Sequence, residues 1–284
     1  MGESGTTSYS PSPSGYGIGP PWLFRGRALY QLHLVKAEIA RAFIPKELKL
    51  VEAFGYTLGG LFLAHYDDSP AGVFDELVVI AGIVWNPPTS CAWASRVLVN
   101  SHEACRHGRK EIGLPSHVAI FSKRDAKASD QPLHKHRTSF IHSKPQEHSE
   151  IQVLEMEDYS QTSICNISLP FAAGDHWMGP KIRISLPSFS GQTIHNPQLL
   201  KYSCQIECRV RAVKSAKVSR PRIIQLDEFS NDIRAKEKNV NDRLSTENEE
   251  RDRSIAVLLS KPIMALEFNL LKMQVEAPTV VIAT

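Results

Sequence analysis

The sequence predicts a mainly β (α+β) protein: an antiparallel β-barrel, closed or nearly closed around a cavity, with a few short helices. Three observations point there. Short segments rich in Val, Ile, Phe, Tyr and Trp recur between turn signals along most of the chain, and such side chains fit a pleated, half-buried surface. Helical spacing is confined to brief stretches near residues 36–44 and 101–113. The chain has 284 residues, 42% of them hydrophobic, enough to bury a substantial core. Closing the sheet removes the edges that would otherwise aggregate, and a barrel of this size is expected to enclose a ligand cavity.

Residues 1–21 are dominated by Ser, Gly, Pro and Thr. They hold too few large apolar groups to offset the entropy of ordering and are expected to form a flexible lead. With Glu3 present and no arginine before Arg25, they do not read as a transit peptide. Met1-Gly2-Glu3-Ser4-Gly5-Thr6 fits the loose myristoylation pattern, although a single acyl chain gives marginal membrane affinity. One barrel domain is expected over 22–284.

The elements follow in order. Tyr30, Leu32 and Leu34 alternate with Gln31 and His33, as a half-buried strand requires. Lys36 to Ile44 reads as a short amphipathic helix with Ile39, Ala42 and Phe43 on one face, closed by Pro45. Strands are expected at 49–66, 75–85 and 91–100, separated by turn signals at Asp67-Asp68-Ser69-Pro70 and Asn86-Pro87-Pro88. Ser101 is a candidate N-cap for a second short helix ending near Gly108 to Gly113. Further strands are expected at 117–123, 151–157, 163–169, 181–187, 200–213 and 263–276. Two polar segments, 124–150 and the charged stretch 221–253, are expected to loop out as mobile insertions.

Composition narrows the function. With 33 Lys and Arg against 30 Asp and Glu, the formal charge is +3, which argues against nucleic acid as a partner. No apolar run approaches the ~18–20 residues a membrane span needs, so any membrane contact is expected to be peripheral. The cysteines at 91, 105, 165, 204 and 208 are odd in number and widely spaced, fitting free thiols in a reduced compartment rather than a disulfide framework. His134, His136, His142 and His148 lie in a Ser- and Lys-rich segment without regular ligand spacing, so neither metal nor cofactor is expected. Trp85, Trp93, Phe54, Tyr56 and Phe62 can be read as barrel core or as the wall of a ligand site.

The segment Gly108-Arg109-Lys110-Glu111-Ile112-Gly113-Leu114-Pro115-Ser116-His117 resembles a catalytic stretch of the acetoacetate decarboxylases, Gly-Arg-Glu followed by Pro-Lys-Lys. In those enzymes the first lysine forms a Schiff base and the second lowers its pKa by like-charge repulsion. Here Ser116 and His117 stand in their places, and a hydroxyl cannot form an iminium. Phe24-Arg25-Gly26-Arg27-Ala28-Leu29-Tyr30, Phe43-Ile44-Pro45-Lys46-Glu47-Leu48 and Phe74-Asp75-Glu76-Leu77 also resemble family segments. The resemblance puts Arg27 and Glu76 on pocket positions and Leu61 where the enzymes have a second glutamate. Leu186 to Gly191 and Lys261 to Val281 match more loosely, so that the likeness covers most of 20–125 and 176–281.

A plant branch of that superfamily is more similar still, through Phe24 to Lys36, Tyr66 to Gly82 and Trp85 to Trp93. It implies a role in accumulating neoxanthin, a xanthophyll precursor of abscisic acid, and residence in the plastid; a cytoplasmic location is the alternative.

The residues leave three readings open. The first is a non-catalytic barrel holding a xanthophyll or lipid, with Arg27, Glu76, Leu61, Trp85 and Trp93 as candidate ligand contacts and no catalytic residue expected at the degenerate Ser116 and His117. The second is an isomerase or lyase using Arg27 and Glu76 for acid–base work. The third is a scaffold that recruits a xanthophyll-pathway enzyme through the charged insertions. Lys110 and Lys123 are the nearest alternative amines, and each reads more simply as a solvated surface group. Arg27 and Glu76 could instead pair with each other. Ser116 and His117, adjacent on a strand, are expected to face opposite sides and not to form a working dyad.

Overall fold

The computed structural model describes residues 16–126, 148–157, 160–170, 178–193, 196–220 and 238–281. The chain runs β1 (Trp22–Lys36), α1 (Ala37–Arg41), β2 (Lys49–Leu50), β3 (Tyr56–Asp68), β4 (Phe74–Asn86) and β5 (Thr89–Val99). It continues through α2 (His102–His107), a π-helical turn (Gly108–Ile112), β6 (Ser116–Ala126), β7 (His148–Glu157), β8 (Ser160–Pro170) and β9 (Lys181–Gly191). It ends with β10 (Leu200–Val213), β11 (Lys217–Ser219), α3 (Lys238–Leu258), β12 (Lys261–Val275) and β13 (Thr279–Val280).

Seven strands close a barrel in the order β1-β3-β4-β5-β9-β10-β12, with β12 returning to β1. It is mostly antiparallel, but the expected all-antiparallel pattern needs one correction. The seam between β5 and β9 is parallel, through Ala92↔Ser188 and Trp93↔Phe189. Farther along, β5 also pairs in parallel with β6, from Val97↔Ser116 to Val99↔Val118. Parallel neighbours need a crossover rather than a tight hairpin, and α2 with the π-helical turn supplies it. Beyond β6, strands β7, β8 and β11 continue an antiparallel sheet that leaves the barrel.

Side-chain alternation along the barrel strands sorts residues into two cores. Inside lie Trp22, Phe24, Phe62, Tyr66, Phe74, Val97, Ile206, Phe268 and Met273. Between the barrel wall and the extended sheet lie Val35, Leu61, Leu63, Leu77, Val79, Leu98, Val153, Ile164 and Ile167, joined by Val257 and Leu258 of α3. Strands covered on both faces need no polar alternation, which accounts for the unbroken apolar run Leu77 to Val84 in β4.

Four expectations are corrected. The strand expected over 49–66 is split, because the chain turns at Phe54 (φ 51) and Gly55 (φ 79) before β3 begins. The first helix stops at Arg41 and buries Ala37 and Ala40 rather than Ala42. Bonds from the N–H groups of Ala42, Phe43 and Ile44 back to the carbonyls three residues earlier tighten its exit and rotate the buried face.

The flexible lead ends sooner than expected, since Tyr16 is buried. Of the two expected insertions, 127–147 and 221–237 fall outside the described residues, as do 1–15 of the lead. Residues 124–126 and 148–150 extend the β6–β7 ladder, and 238–253 lie in α3, whose face toward the core is partly polar. Arg251 and Ser254 are 6% and 1% exposed, so hydrophobic periodicity could not reveal this helix.

Candidate functional site

The barrel interior holds a cavity of about 310 Å³. Its wall is largely aromatic and aliphatic, with Phe24 and Tyr30 from β1, Phe62 and Tyr66 from β3, and Phe74 from β4. Glu76 reaches it because Phe74, Glu76 and Val78 share the inner face of β4, while Leu77 and Val79 pack into the outer core. The Tyr66 hydroxyl donates to Glu76 Oε2 at 2.7 Å. Burial raises the Glu76 pKa above the ordinary carboxyl range, with the Tyr66 hydrogen bond pulling the other way. Among the described residues, no lysine or arginine lines the cavity. Without a cation on the wall, burial favours the protonated form of the carboxyl over an unpaired charge.

Neighbouring groups are shifted in the same sense. Burial and the proximity of Glu76 push the Cys204 thiol up to about 12. The Tyr66 phenol is held well above its usual value by burial and by Glu76. Burial does the same for Tyr202, with Cys204 and Glu76 adding to it. These shifts all favour the uncharged forms of the hydroxyl, thiol and carboxyl groups on the wall.

The crossover between β5 and β6 closes one side. Ser101 caps α2, accepting from the Ala104 N–H. His107 stacks on Tyr16 with centroids 3.7 Å apart, its Nδ1 accepting the Tyr16 backbone N–H at 3.1 Å. The Trp22 ring stands edge-on to the same imidazole at 4.4 Å. Burial lowers the His107 pKa to about 4, leaving a neutral ring that fastens the N-terminal segment to the cavity wall.

Ser116 opens β6, lines the cavity and is 2% exposed. It fits beneath Gly108, where an added Cβ would lie 2.6 Å from the Ser116 Oγ. His117 points to the opposite face, its Nδ1 lying 2.7 Å from Glu155 Oε1. The two side chains are thus separated by the strand, as alternation requires.

The other candidates named from the sequence do not gather around Glu76. Arg27 is exposed on the outside of the barrel, because it alternates with Phe24, Ala28 and Tyr30, which face the interior. The alternative in which Arg27 pairs with Glu76 therefore does not form. Leu61 is fully buried, but in the outer core. Trp93 packs there too, 5.6 Å from the Phe189 ring. Trp85 is 44% exposed at the barrel rim. Of the five aromatics considered as a ligand wall, Phe62 lines the cavity, whereas Phe54 and Tyr56 are exposed. Lys110 and Lys123 are not cavity residues, and Lys123 binds Asp75 Oδ1 at 2.6 Å on the outer face.

The five cysteines are buried free thiols. Among the described residues, no group of three or more His, Cys, Asp or Glu could hold a metal ion; His134, His136 and His142 lie outside them. Tyr66 and Tyr202 were reachable in principle from their period-two spacing to Phe62 and Cys204. Tyr16 carried no signal within a Ser- and Pro-rich lead.

The fold has clear counterparts among solved structures. Acetoacetate decarboxylase from Legionella pneumophila superposes with a TM-score of 0.54 at 9% identity, over 98% of this chain and 93% of that one. An enduracididine biosynthesis enzyme does so with a TM-score of 0.51 at 12% identity, over 100% and 99% of the two chains. The fold is that of an acetoacetate decarboxylase-like barrel. No protein-family model matches the chain.

Full-length relatives are much nearer in sequence. Protein NEOXANTHIN-DEFICIENT 1 of Oryza sativa subsp. japonica is 60% identical over 281 residues, covering 95% of this chain and 91% of the relative. The proteins of that name from Solanum lycopersicum and Arabidopsis thaliana are 59% and 57% identical at similar coverage. The chain belongs to the NEOXANTHIN-DEFICIENT 1 family.

Proposed function

We propose that this protein supports neoxanthin accumulation by holding the oxygenated end of a xanthophyll, or of a related lipid, inside the barrel. The relatives' name supports the pathway. The observation that carries the binding mode is the cavity itself: largely aromatic and aliphatic, without a described lysine or arginine, and with Glu76, its pKa raised by burial, on its wall. Ligand sites run from about 300 to 1,000 Å³, so about 310 Å³ suits a ring end group and a short length of polyene rather than a whole xanthophyll. A protonated Glu76 can donate to a hydroxyl or epoxide oxygen.

The expected result is that purified protein mixed with violaxanthin or neoxanthin carries the pigment through gel filtration and shifts its absorption band. Neither co-elution nor a shift would end the binding proposal. On this reading the protein works in the plastid, beside an enzyme of xanthophyll synthesis. A tagged chain that stays in the cytosol of leaf cells would remove that part.

One observation favours a second reading. A carboxyl whose pKa is raised by burial suits general acid catalysis, so Glu76 could protonate an epoxide oxygen in an isomerase or lyase, without Arg27, which faces solvent. If so, turnover by the purified protein should fall about 10²–10⁴-fold in Glu76→Gln. Absence of turnover in the unaltered protein excludes this reading.

A further inference from the structure

One end of the barrel differs from the rest of the surface. By strand alternation and pairing, Leu32 and Leu34 of β1, Leu58 of β3 and Met264 of β12 point to the same inner side as Tyr30, Phe62 and Phe268. Inward side chains of a filled barrel are buried, yet Leu58 is 43% and Met264 46% exposed. The barrel is open here, beneath a layer in which the rings of Tyr30, Phe62 and Phe268 stand 6.2, 6.3 and 6.4 Å apart. Tyr30 and Phe62 also line the cavity above.

The rim of this opening is apolar and aromatic. Trp85 pairs with Lys49 of β2, and Tyr56 with Lys36 of β1; Trp85 and Tyr56 are 44% and 42% exposed. Between β2 and β3 the turn projects Phe54, which is 101% exposed and holds a φ of 51 that bulky residues rarely adopt. Lys46, Lys49 and Lys261 stand exposed around the rim with Glu47 exposed beside Lys46, while Glu38 and Glu52 are engaged by Lys36 and Arg41. The rim therefore carries a basic surplus.

We propose that this open end docks onto an anionic lipid surface. Trp and Tyr at the rim place apolar rings and polar tips together, which suits the headgroup boundary. Lysines beside them meet anionic lipid. A turn that holds a phenylalanine wholly in water presents an inserting group, and docking would set the open chamber against the acyl region. An apolar ligand could then enter without crossing water. Docking holds whether or not the ligand is a xanthophyll.

The test is flotation of the full-length protein with vesicles of phosphatidylcholine, alone or mixed with phosphatidylglycerol, alongside light scattering without lipid. The protein should float with the mixed vesicles, and Phe54→Ser should weaken partitioning roughly ten-fold, from the lost burial of one aromatic ring, at an unchanged melting temperature. Trp85→Ser should act in the same direction. Val73→Ser, at a 67% exposed position in the turn before β4, should leave flotation unaltered. Failure to float with either vesicle, or equal losses in Phe54→Ser and Val73→Ser, overturns the proposal. So does a dimer in lipid-free solution that Phe54→Ser dissolves, since the rim would then be covered by a second copy.

Discussion

Glu155→Gln is expected to destabilise the protein by about 3–5 kcal/mol, the usual cost of removing one partner from a buried ion pair. Glu155 is fully buried on β7 and binds Arg96 of β5 and Arg251 of α3. The Arg251 contact is 3.0 Å, Nε to Oε2, and Arg251 also engages Glu157 and Asn248. The two arginine side chains are 3% and 7% exposed. Glutamine fills the same space but leaves two buried cations facing one remaining carboxylate, so the loss is electrostatic rather than a packing defect.

The same cluster sets an acid limit. Burial raises the Glu155 pKa, but the hydrogen bond with His117 and the charge of Arg96 outweigh it and hold it at about 2. A folded pKa below the unfolded value of about 4.3 gives stability that is present above that value and lost as pH falls toward 2. The full effect is on the order of 3 kcal/mol. Chemical denaturation at pH 7 and at pH 3 checks both points. The gap between wild type and Glu155→Gln should be wide at pH 7 and narrower at pH 3, and a gap unchanged between the two would refute the assignment.

This cluster also bears on a scaffold role for the charged segment. Deleting 221–253 would remove Arg251 from the core, so the fold would not survive intact and the deletion could not isolate recruitment.

The barrel was legible because its strands obey period-two alternation, from Tyr30, Leu32 and Leu34 onward, and because Pro and Gly mark their turns. The polar side of the outer core was not. Arg96, Glu155 and Arg251 are far apart in sequence and look like surface charges, so their burial emerges only when β5, β7 and α3 come together. The site was half legible. Resemblance placed Glu76 and Ser116 on the cavity wall, but Arg27 alternates with Phe24, Ala28 and Tyr30, which face inward, so the period of the strand itself turns it outward against the resemblance. Leu61 and Trp93 failed for a simpler reason, since a strand buried on both faces gives no sign of which face lines the cavity.

Ala94→Trp should abolish pigment co-elution while leaving a folded barrel. Ala94 pairs with Ile80 across β4 and β5, and both line the cavity. An indole at this position projects into about 310 Å³ of empty space, so the overpacking penalty of about 1–3 kcal/mol seen in filled cores is largely avoided. The ligand, however, must then displace the indole or lose its place, and at least a roughly 100-fold weakening is expected, about 2.7 kcal/mol. Val73→Trp adds the same ring at an exposed turn and should bind like the unaltered chain. If Ala94→Trp binds violaxanthin or neoxanthin normally, the pigment sits elsewhere on the molecule and the interior is not its site. If binding disappears with the melting temperature unchanged, the cavity is the site, and the wall around Glu76 is what the ligand meets.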